Sequence, residues 1–404
     1  MKTRSTRLTV FLFIFILLYN LPGIQGKAQT LKPTIPNADL ITIDVDNIGK
    51  GRNIMFSEIF KQVKLVPLET TRECLIGNID QLLIENDTIY VMDQRIAKSL
   101  FVFDKTGKFI RKIGRQGKGP GEYISPRSFA IDNKNRRINV YGVSKILNYT
   151  LNGDFMNEIN TRGRSVKEIA NLDGIIYVDH DPIPQDKNST LLTAYDKDGK
   201  EVNTWLPNGQ YNHGFQQHSG YFFHLIKTPY DIKYIRPFFD TIFCINNQQL
   251  TPFIAIETRH RVTQSEMKKI NSIPIMELGE YFMKNGDYFR GPSSYTENER
   301  LIMAQLTLPD YAIFWLINPK NKKYIIGVPK DDLTNGVIPI ITTVTDDCFV
   351  FTTNMGYTNM QLIEGVKDGS IKLDKAEKEK VLKLTPDSNP VIMFYECRED
   401  FLED

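Results

Sequence analysis

Three short stretches decide the fold: FDKTGK at Phe103–Lys108, YTLNGD at Tyr149–Asp154 and YDKDGK at Tyr195–Lys200. Each runs aromatic, polar residue, two turn residues, glycine, polar residue, and Gly107, Gly153 and Gly199 follow one another at 46 and again 46 residues. A turn residue followed by glycine between apolar runs is a strong hairpin signal, because glycine supplies the positive φ such a turn needs. An equal step of this size between like corners is the signature of a repeat architecture.

The flanks agree with that reading. TIYVMD (Thr88–Asp93) and SLFVFD (Ser99–Asp104) precede the first corner, RINVYG (Arg137–Gly142) and KILNYT (Lys145–Thr150) the second, IIYVDH (Ile175–His180) and TLLTAYD (Thr190–Asp196) the third. KFIRKIG, DFMNEIN and KEVNTWL follow them, and an inner strand opens each unit: IDQLLIEN (Ile79–Asn86), RSFAIDN (Arg127–Asn133) and VKEIANL (Val166–Leu172). Four short strands per unit fit a propeller blade of about 40–50 residues. Runs such as LFVF are apolar on both faces, as a blade sandwiched between two neighbours requires, whereas a one-sided sheet would alternate. A β-sandwich shares the short strands but not the equal spacing.

The later units are fainter. FFDTIFCI (Phe238–Ile245) with PFIAIE reads as a fourth, AIFWLIN (Ala312–Asn318) with KKYIIGV (Lys322–Val328) as a fifth, and CFVFTT (Cys348–Thr353) as a sixth. Ser265–Lys284 and Thr296–Ala304 carry helix-like spacing, which predicts a helical insertion at about 262–305; Asp374–Leu384 also reads as helix. VKLVPLE (Val63–Glu69) and the terminal strand around Val391–Tyr395 are expected to share the blade that closes the ring, since an open ring leaves edge strands exposed. The expected architecture is therefore all-β: a six-bladed propeller of four-stranded antiparallel blades over 63–404, with a helical insertion between late blades.

The N-terminus reads as an export signal over residues 1–28. Lys2, Arg4 and Arg7 precede the apolar run Val10–Leu18, and Gly26 and Ala28 offer a small-residue cleavage site. That run is too short to span a bilayer, which takes roughly 20 residues, so no membrane span is expected after cleavage and the product belongs in the periplasm or outside the cell. Residues 29–62, with several Pro and Gly, read as an N-terminal arm. With 50 basic against 48 acidic residues the chain lacks the electrostatic footprint of a nucleic-acid or anionic-membrane binder. Cys74, Cys244, Cys348 and Cys397 include no CxxC, and a chain of this size needs no staples, so buried free thiols are expected.

VPLETTRECLIGNI, TIYVMD, LFVFDKTGKFIRKIGRQGKGPGEY, FFDTIF and NPVIMFYE together resemble the six-bladed β-propeller family of secreted Bacteroidetes proteins, itself similar to NHL-repeat propellers. The likeness runs from about Val63 to the C-terminus and thins between Phe215 and Asp310. It implies a secreted propeller of anaerobic gut or oral bacteria with a role near glycan uptake. It implies no settled activity, and carries over no catalytic residues.

The segment IGRQGKGPGEY (Ile113–Tyr123) admits two readings. As a backbone nest on the rim it would turn Arg115 and Lys118, with Glu122 and Tyr123, toward an anionic ligand; as punctuation it would carry the chain from one blade to the next. It is no P-loop, since Pro120 follows Gly119. His213, His218 and His224, with Tyr221 in an aromatic stretch (Tyr211, Phe215, Phe222, Phe223, Tyr230, Tyr234), form the second candidate, although their spacing matches no metal signature. Asp93, Asp132 and Asp179 each end a strand-like run. Converging on the channel mouth they would offer oxygen ligands to calcium; as turn caps they would hold backbone amides. No loop matches a calcium signature, so no cofactor is expected. No catalytic constellation is visible. The expected function is a secreted binding module presenting rim loops to a glycan, peptide or envelope protein; the alternative is a lyase or hydrolase with its site at the channel mouth.

Overall fold

The computed structural model describes residues 29–30, 40–49, 51–161, 164–181, 189–207, 224–309, 311–334, 340–353 and 357–403. Six sheets form a propeller ring. Blade 1 comprises Gln81–Glu85, Thr88–Asp93, Ser99–Asp104 and Phe109–Ile113; blade 2 comprises Ser128–Asp132, Arg137–Tyr141, Lys145–Thr150 and Phe155–Asn160. Blade 3 is Val166–Leu172, Ile175–His180, Thr190–Tyr195 and Glu201–Pro207; blade 4 is Leu225–Lys227, Ile232–Tyr234, Thr241–Asn246 and Gln249–Glu257. Blade 5 is Gly291–Glu297, Ile302–Thr307, Ala312–Ile317 and Lys323–Lys330. Blade 6 closes the ring: Ile340–Val344, Cys348–Thr352 and Val391–Cys397 come from the C-terminal part, and Phe60–Pro67 supplies the outermost strand. The first strand of each blade is the innermost, and that of blade 6 packs against that of blade 1.

Strands apolar on both faces are explained by where their side chains go. In Thr88–Asp93, Ile89 and Val91 join the core between blades 6 and 1, while Tyr90 and Met92 join the core between blades 1 and 2. The same division places one apolar cluster in every seam of the ring.

The repeated corner has a packing role as well as a local one. Asp104 Oδ1 accepts from the amides of Thr106 and Lys108, and Asp196 Oδ1 from those of Asp198 and Lys200. Gly107, Gly153 and Gly199 all have positive φ, between 83° and 93°. Each also lies under the end of the preceding blade's outermost strand. A β-carbon at Gly107 would stand 2.2 Å from the Pro67 carbonyl oxygen, and one at Gly199 2.7 Å from Ile159 Cγ2; at Gly153 it would stand 3.3 Å from Ile113 Cδ1, the end of a side chain that can give by a few tenths of an ångström, and 3.4 Å from the Lys112 carbonyl oxygen. Later corners use other chemistry: Asn247 and Gln248 both take positive φ in blade 4, and Asn318 with Lys322 turns blade 5.

The described residues of the N-terminal arm contribute short strands to the outer rim. Ile41–Asp44 and Arg52–Met55 add parallel fifth strands to the outer edges of blades 4 and 5, and Gln29–Thr30 pairs antiparallel with blade 5. Between these blades stand two helices, Gln264–Ser272 and Leu278–Lys284, separated at Pro274. The expectation of helix over Thr296–Ala304 is overturned. Gly291–Glu297 and Ile302–Thr307 are strands, and the polar run between them is a hairpin in which Asn298 Oδ1 accepts from the Arg300 and Leu301 amides. Helix Lys375–Val381 is where the sequence places it, capped by Asp374, whereas helix Tyr357–Asp368 was not anticipated.

The differing depth of the glycine corners yields a comparison. Gly107→Ala should lose about 3 kcal/mol, through both positive φ and the clash with Pro67, and Gly153→Ala about 1 kcal/mol, chiefly through φ. Urea unfolding of the two variants checks this; equal losses would remove the stacking role.

Candidate functional site

Each blade is a meander, so its first–second and third–fourth turns lie at one end of the ring, and its second–third turns and blade-to-blade connections at the other. The first end carries tight hairpins. The second carries the Gly-rich loop 114–127, the helical insertion, and the helices of blade 6. At the hairpin end the channel is crossed by an ion pair between opposite blades: Lys227 Nζ lies 3.0 Å from Glu85 Oε1, and Glu85 also accepts from Asn133.

In the Gly-rich loop the anion-binding nest is filled by the loop's own carboxylate. Glu122 Oε2 accepts from the Gly119 amide at 2.8 Å and Glu122 Oε1 pairs with Arg115 Nε at 2.6 Å. These donors hold the Glu122 carboxyl below its usual range. Tyr123 is buried, donating its hydroxyl to Ile113 O, and Tyr149 donates to Gly121 O across the seam. Tyr123 is thus core, which corrects its reading as a ligand-facing residue: the aromatic that ends the loop anchors it. Arg115 and Lys118 remain exposed.

The turn beside this loop is strained. Val143 and Ser144 have φ of 62° and 70°, which a β-branched residue rarely adopts. The Ser144 carbonyl accepts from both the amide and the hydroxyl of Thr161, and the Ser144 amide donates to Tyr141. These bonds hold Val143 exposed at the surface.

At the seam of blades 3 and 4 a buried polar cluster surrounds Asp179. Its Oδ2 lies 2.7 Å from His224 Nδ1 and 3.6 Å from Arg236 Nη2, and its Oδ1 accepts from the Tyr234 hydroxyl at 2.7 Å. Burial alone would raise the Asp179 carboxyl, but Arg236, then His224, hold it well below the usual range. Burial also depresses both histidines, His180 to about 4. Glu168, on the innermost strand of blade 3, accepts from the His224 and Leu225 amides at 2.7 and 3.0 Å. Those amides favour its charged form, yet burial outweighs them and pushes it up to about 8.

The sequence candidates are therefore dispersed. Arg115, Lys118, Glu122 and Tyr123 connect blades 1 and 2; His224 opens blade 4, buried; His213, His218 and Tyr221 lie outside the described residues, as do Tyr211, Phe215, Phe222 and Phe223. Tyr230 stands exposed at the hairpin end, bonded to Glu299, and Tyr234 is buried. The three aspartates do not converge, which overturns that arrangement for calcium. Asp93 accepts four backbone amides, from Gly77, Asn78, Arg95 and Ile96; Asp132 caps Asn135 at the opposite end; Asp179 belongs to the seam. Among the described residues no group of three His, Cys, Asp or Glu side chains is placed to hold a metal ion. The four thiols are free: Cys74 and Cys397 are buried, Cys244 and Cys348 half-buried.

The profile of a domain of unknown function, DUF4934, matches residues 40–396. The chain belongs to that family. Among solved structures, an exported protein of Bacteroides fragilis is similar over 89% of this chain and 99% of its own, with a TM-score of 0.65 at 18% identity, which speaks to the fold. A DUF4221 member from Bacteroides vulgatus covers 84% of this chain and 97% of its own, at TM-score 0.48 and 10% identity. No curated protein matches the sequence. Among the described residues no helix is long and apolar enough to cross a membrane.

Glu168, Arg236 and Val143 escaped sequence reading. Glu168 and Arg236 are charges set directly beside apolar residues in the strand-like runs VKEIANL and DIKYIRPFF, and that placement is the signal that a buried partner awaits each.

Two outcomes test this account. The raised Glu168 carboxyl stabilises the fold fully below its ordinary pKa, and that contribution is lost as pH climbs through about 8; the neutral His180 ring acts oppositely, its contribution being lost as pH falls through about 4. Unfolding temperature should therefore decline from pH 7 to 9, and Glu168→Gln should flatten that decline; an unchanged slope refutes it. Val143→Asn should gain about 1 kcal/mol in urea unfolding, because Asn tolerates the left-handed turn.

Proposed function

We propose that this DUF4934 propeller is an exported binding module that engages a peptide or protein ligand with the face bearing its long connections. The observation that carries this reading is the asymmetry of the ring: tight hairpins and the Lys227–Glu85 bridge at one end, long and chemically varied connections at the other. Loops on a rigid scaffold are where propellers and comparable folds place recognition. The export reading draws on the signal-like N-terminus and on the exported Bacteroides neighbour.

The polar cluster at the blade 3–4 seam favours binding over catalysis. Asp179 and His224 have the pairing of a base with its orienting carboxylate, but His224 is 3% exposed, and no substrate reaches its ring without opening the seam.

Hydrogen exchange on the full chain, with ligands drawn from a thermal-shift screen of glycans and peptides, is the test. Protection is expected over connections such as 94–98 and 114–127 and not over the corners 105–108, 151–154 and 196–200. Protection confined to those corners, or turnover of the bound ligand, overturns the proposal.

A further inference from the structure

Four exposed apolar side chains lie on consecutive connections of the long-loop face: Leu75 before blade 1, Ile96 within it, Ile124 between blades 1 and 2, and Val143 within blade 2. They are 55%, 68%, 53% and 37% exposed. Contacts between the segments that bear them set the four along one sector of the face. Ile96 packs on Gly77, where a β-carbon would come within 2.4 Å of Ile96 Cβ. Ser125 donates to Gln94 O at 2.8 Å, tying the loop that bears Ile124 to the turn that bears Ile96. The Tyr123 side chain lies against Gly142, next to Val143.

The strip is flanked by cations. Asp80 answers Arg95 and Glu122 answers Arg115, while Arg72 stands beside Glu73 in the chain. Lys118 and Arg127 are exposed and, among the described residues, make no ion pair. The nearby buried Asp93 has its carboxylate occupied by four amides, so it offers nothing to a cation on the surface. The surface therefore combines an apolar line with surplus positive charge. Val143 is kept at its end by a backbone conformation that the local sequence disfavours, and strain of this kind concentrates at functional positions.

We infer that the strip Leu75–Ile96–Ile124–Val143 docks an extended segment of a partner protein in which carboxylates alternate with aliphatic or aromatic side chains. This rests on the binding-module reading and narrows it to one sector of the long-loop face. The apolar side chains supply area removed from water, and Lys118 and Arg127 set orientation and partner choice through charge.

The test pans a displayed library of random dodecapeptides on the full chain and measures the enriched peptides by fluorescence anisotropy. Enriched sequences should carry Asp or Glu beside Leu, Ile or Phe. Ile96→Asp combined with Ile124→Asp should weaken them by about tenfold or more, as truncation at a docking centre does. Lys118→Glu with Arg127→Glu should weaken them too, and lose the salt dependence. Val202→Asp, on the outermost strand of blade 3, should leave affinity unchanged, and unfolding temperatures confirm that all variants fold. Basic or neutral enriched peptides, no enrichment, or undiminished binding by the Asp variants overturns the inference. So does preferential binding to phosphatidylglycerol vesicles, which would assign the strip to a lipid surface. Binding that protects blades 4–6 of the same face instead would sink this sector and leave the broader reading standing; binding at the hairpin end would sink both.

Discussion

A ring of sheets leaves a row of unpaired backbone at its centre, and how that edge is satisfied governs much else in this molecule. Each innermost strand has a partner on one side only, so its other amides and carbonyls face the channel. Here polar side chains pass from blade to blade to meet them. Gln81 of blade 1 donates to and accepts from the backbone of Phe129 in blade 2; Ser128 does the same for Ile169 in blade 3; Glu168 accepts from the amides of His224 and Leu225 in blade 4. The residue just before each clamped position supplies the next clamp. The relay ends at His224, which turns back to Asp179. The innermost strand of blade 5 opens Gly291–Pro292, and Pro292 has no N–H to give.

Closure of the ring is handled by a different device. The pairing of Phe60–Pro67 with Val391–Cys397 joins chain segments more than 300 residues apart, so its entropic cost falls on one blade. Asn389 reinforces it from the side. Its Oδ1 accepts from the Ile76 amide, its Nδ2 donates to the carbonyls of Glu69 and Cys74, and its own amide donates to Thr70. A single buried side chain thus fixes the last strand to the loop that begins blade 1. The arm serves the outer edges in a similar way, covering blades 4 and 5 where unpaired strands would invite association.

The fold was legible where one sequence feature answered two constraints at once. Gly107 and Gly199 are required both by the turn and by the strand lying over it, and Gly153 by the turn, so the pattern survives in three blades. Blades 4 and 5 solve the turn with Asn247–Gln248 and with Asn318 and Lys322, which removes the glycine and with it the echo. The misread of Thr296–Ala304 has the same origin: a charged hairpin between two strands mimics the polar face of a helix when the turn lacks glycine. The candidate site was less legible, because its chemistry is relational. Glycine and charge in IGRQGKGPGEY suggest an anion from outside, and nothing local reveals that Glu122 fills that place itself. His224 was visible as a histidine, but its partner Asp179 lies 45 residues earlier on another blade.

The blade 3–4 seam shows what the relay demands of chemistry. Gln81 and Ser128 are neutral and cost little to bury. Glu168 performs the same task with an ionisable group, in a seam that already holds Asp179, and like charges close together in a buried site cannot both persist. The fold resolves this by keeping the two acids in different states. Arg236 and His224 hold Asp179 charged, while burial keeps a proton on Glu168 near neutral pH. A buried ion pair is weak evidence for net stabilisation, since desolvation offsets much of its attraction. Its effect here is to fix which residues meet: Arg236 donates to the His180 carbonyl, and Tyr234 and His224 both reach Asp179, so blades 3 and 4 dock in one register only. An apolar seam would permit sliding between blades. A seam with unique polar partners holds the start of blade 4 in place, and with it the geometry of the face that the long connections share.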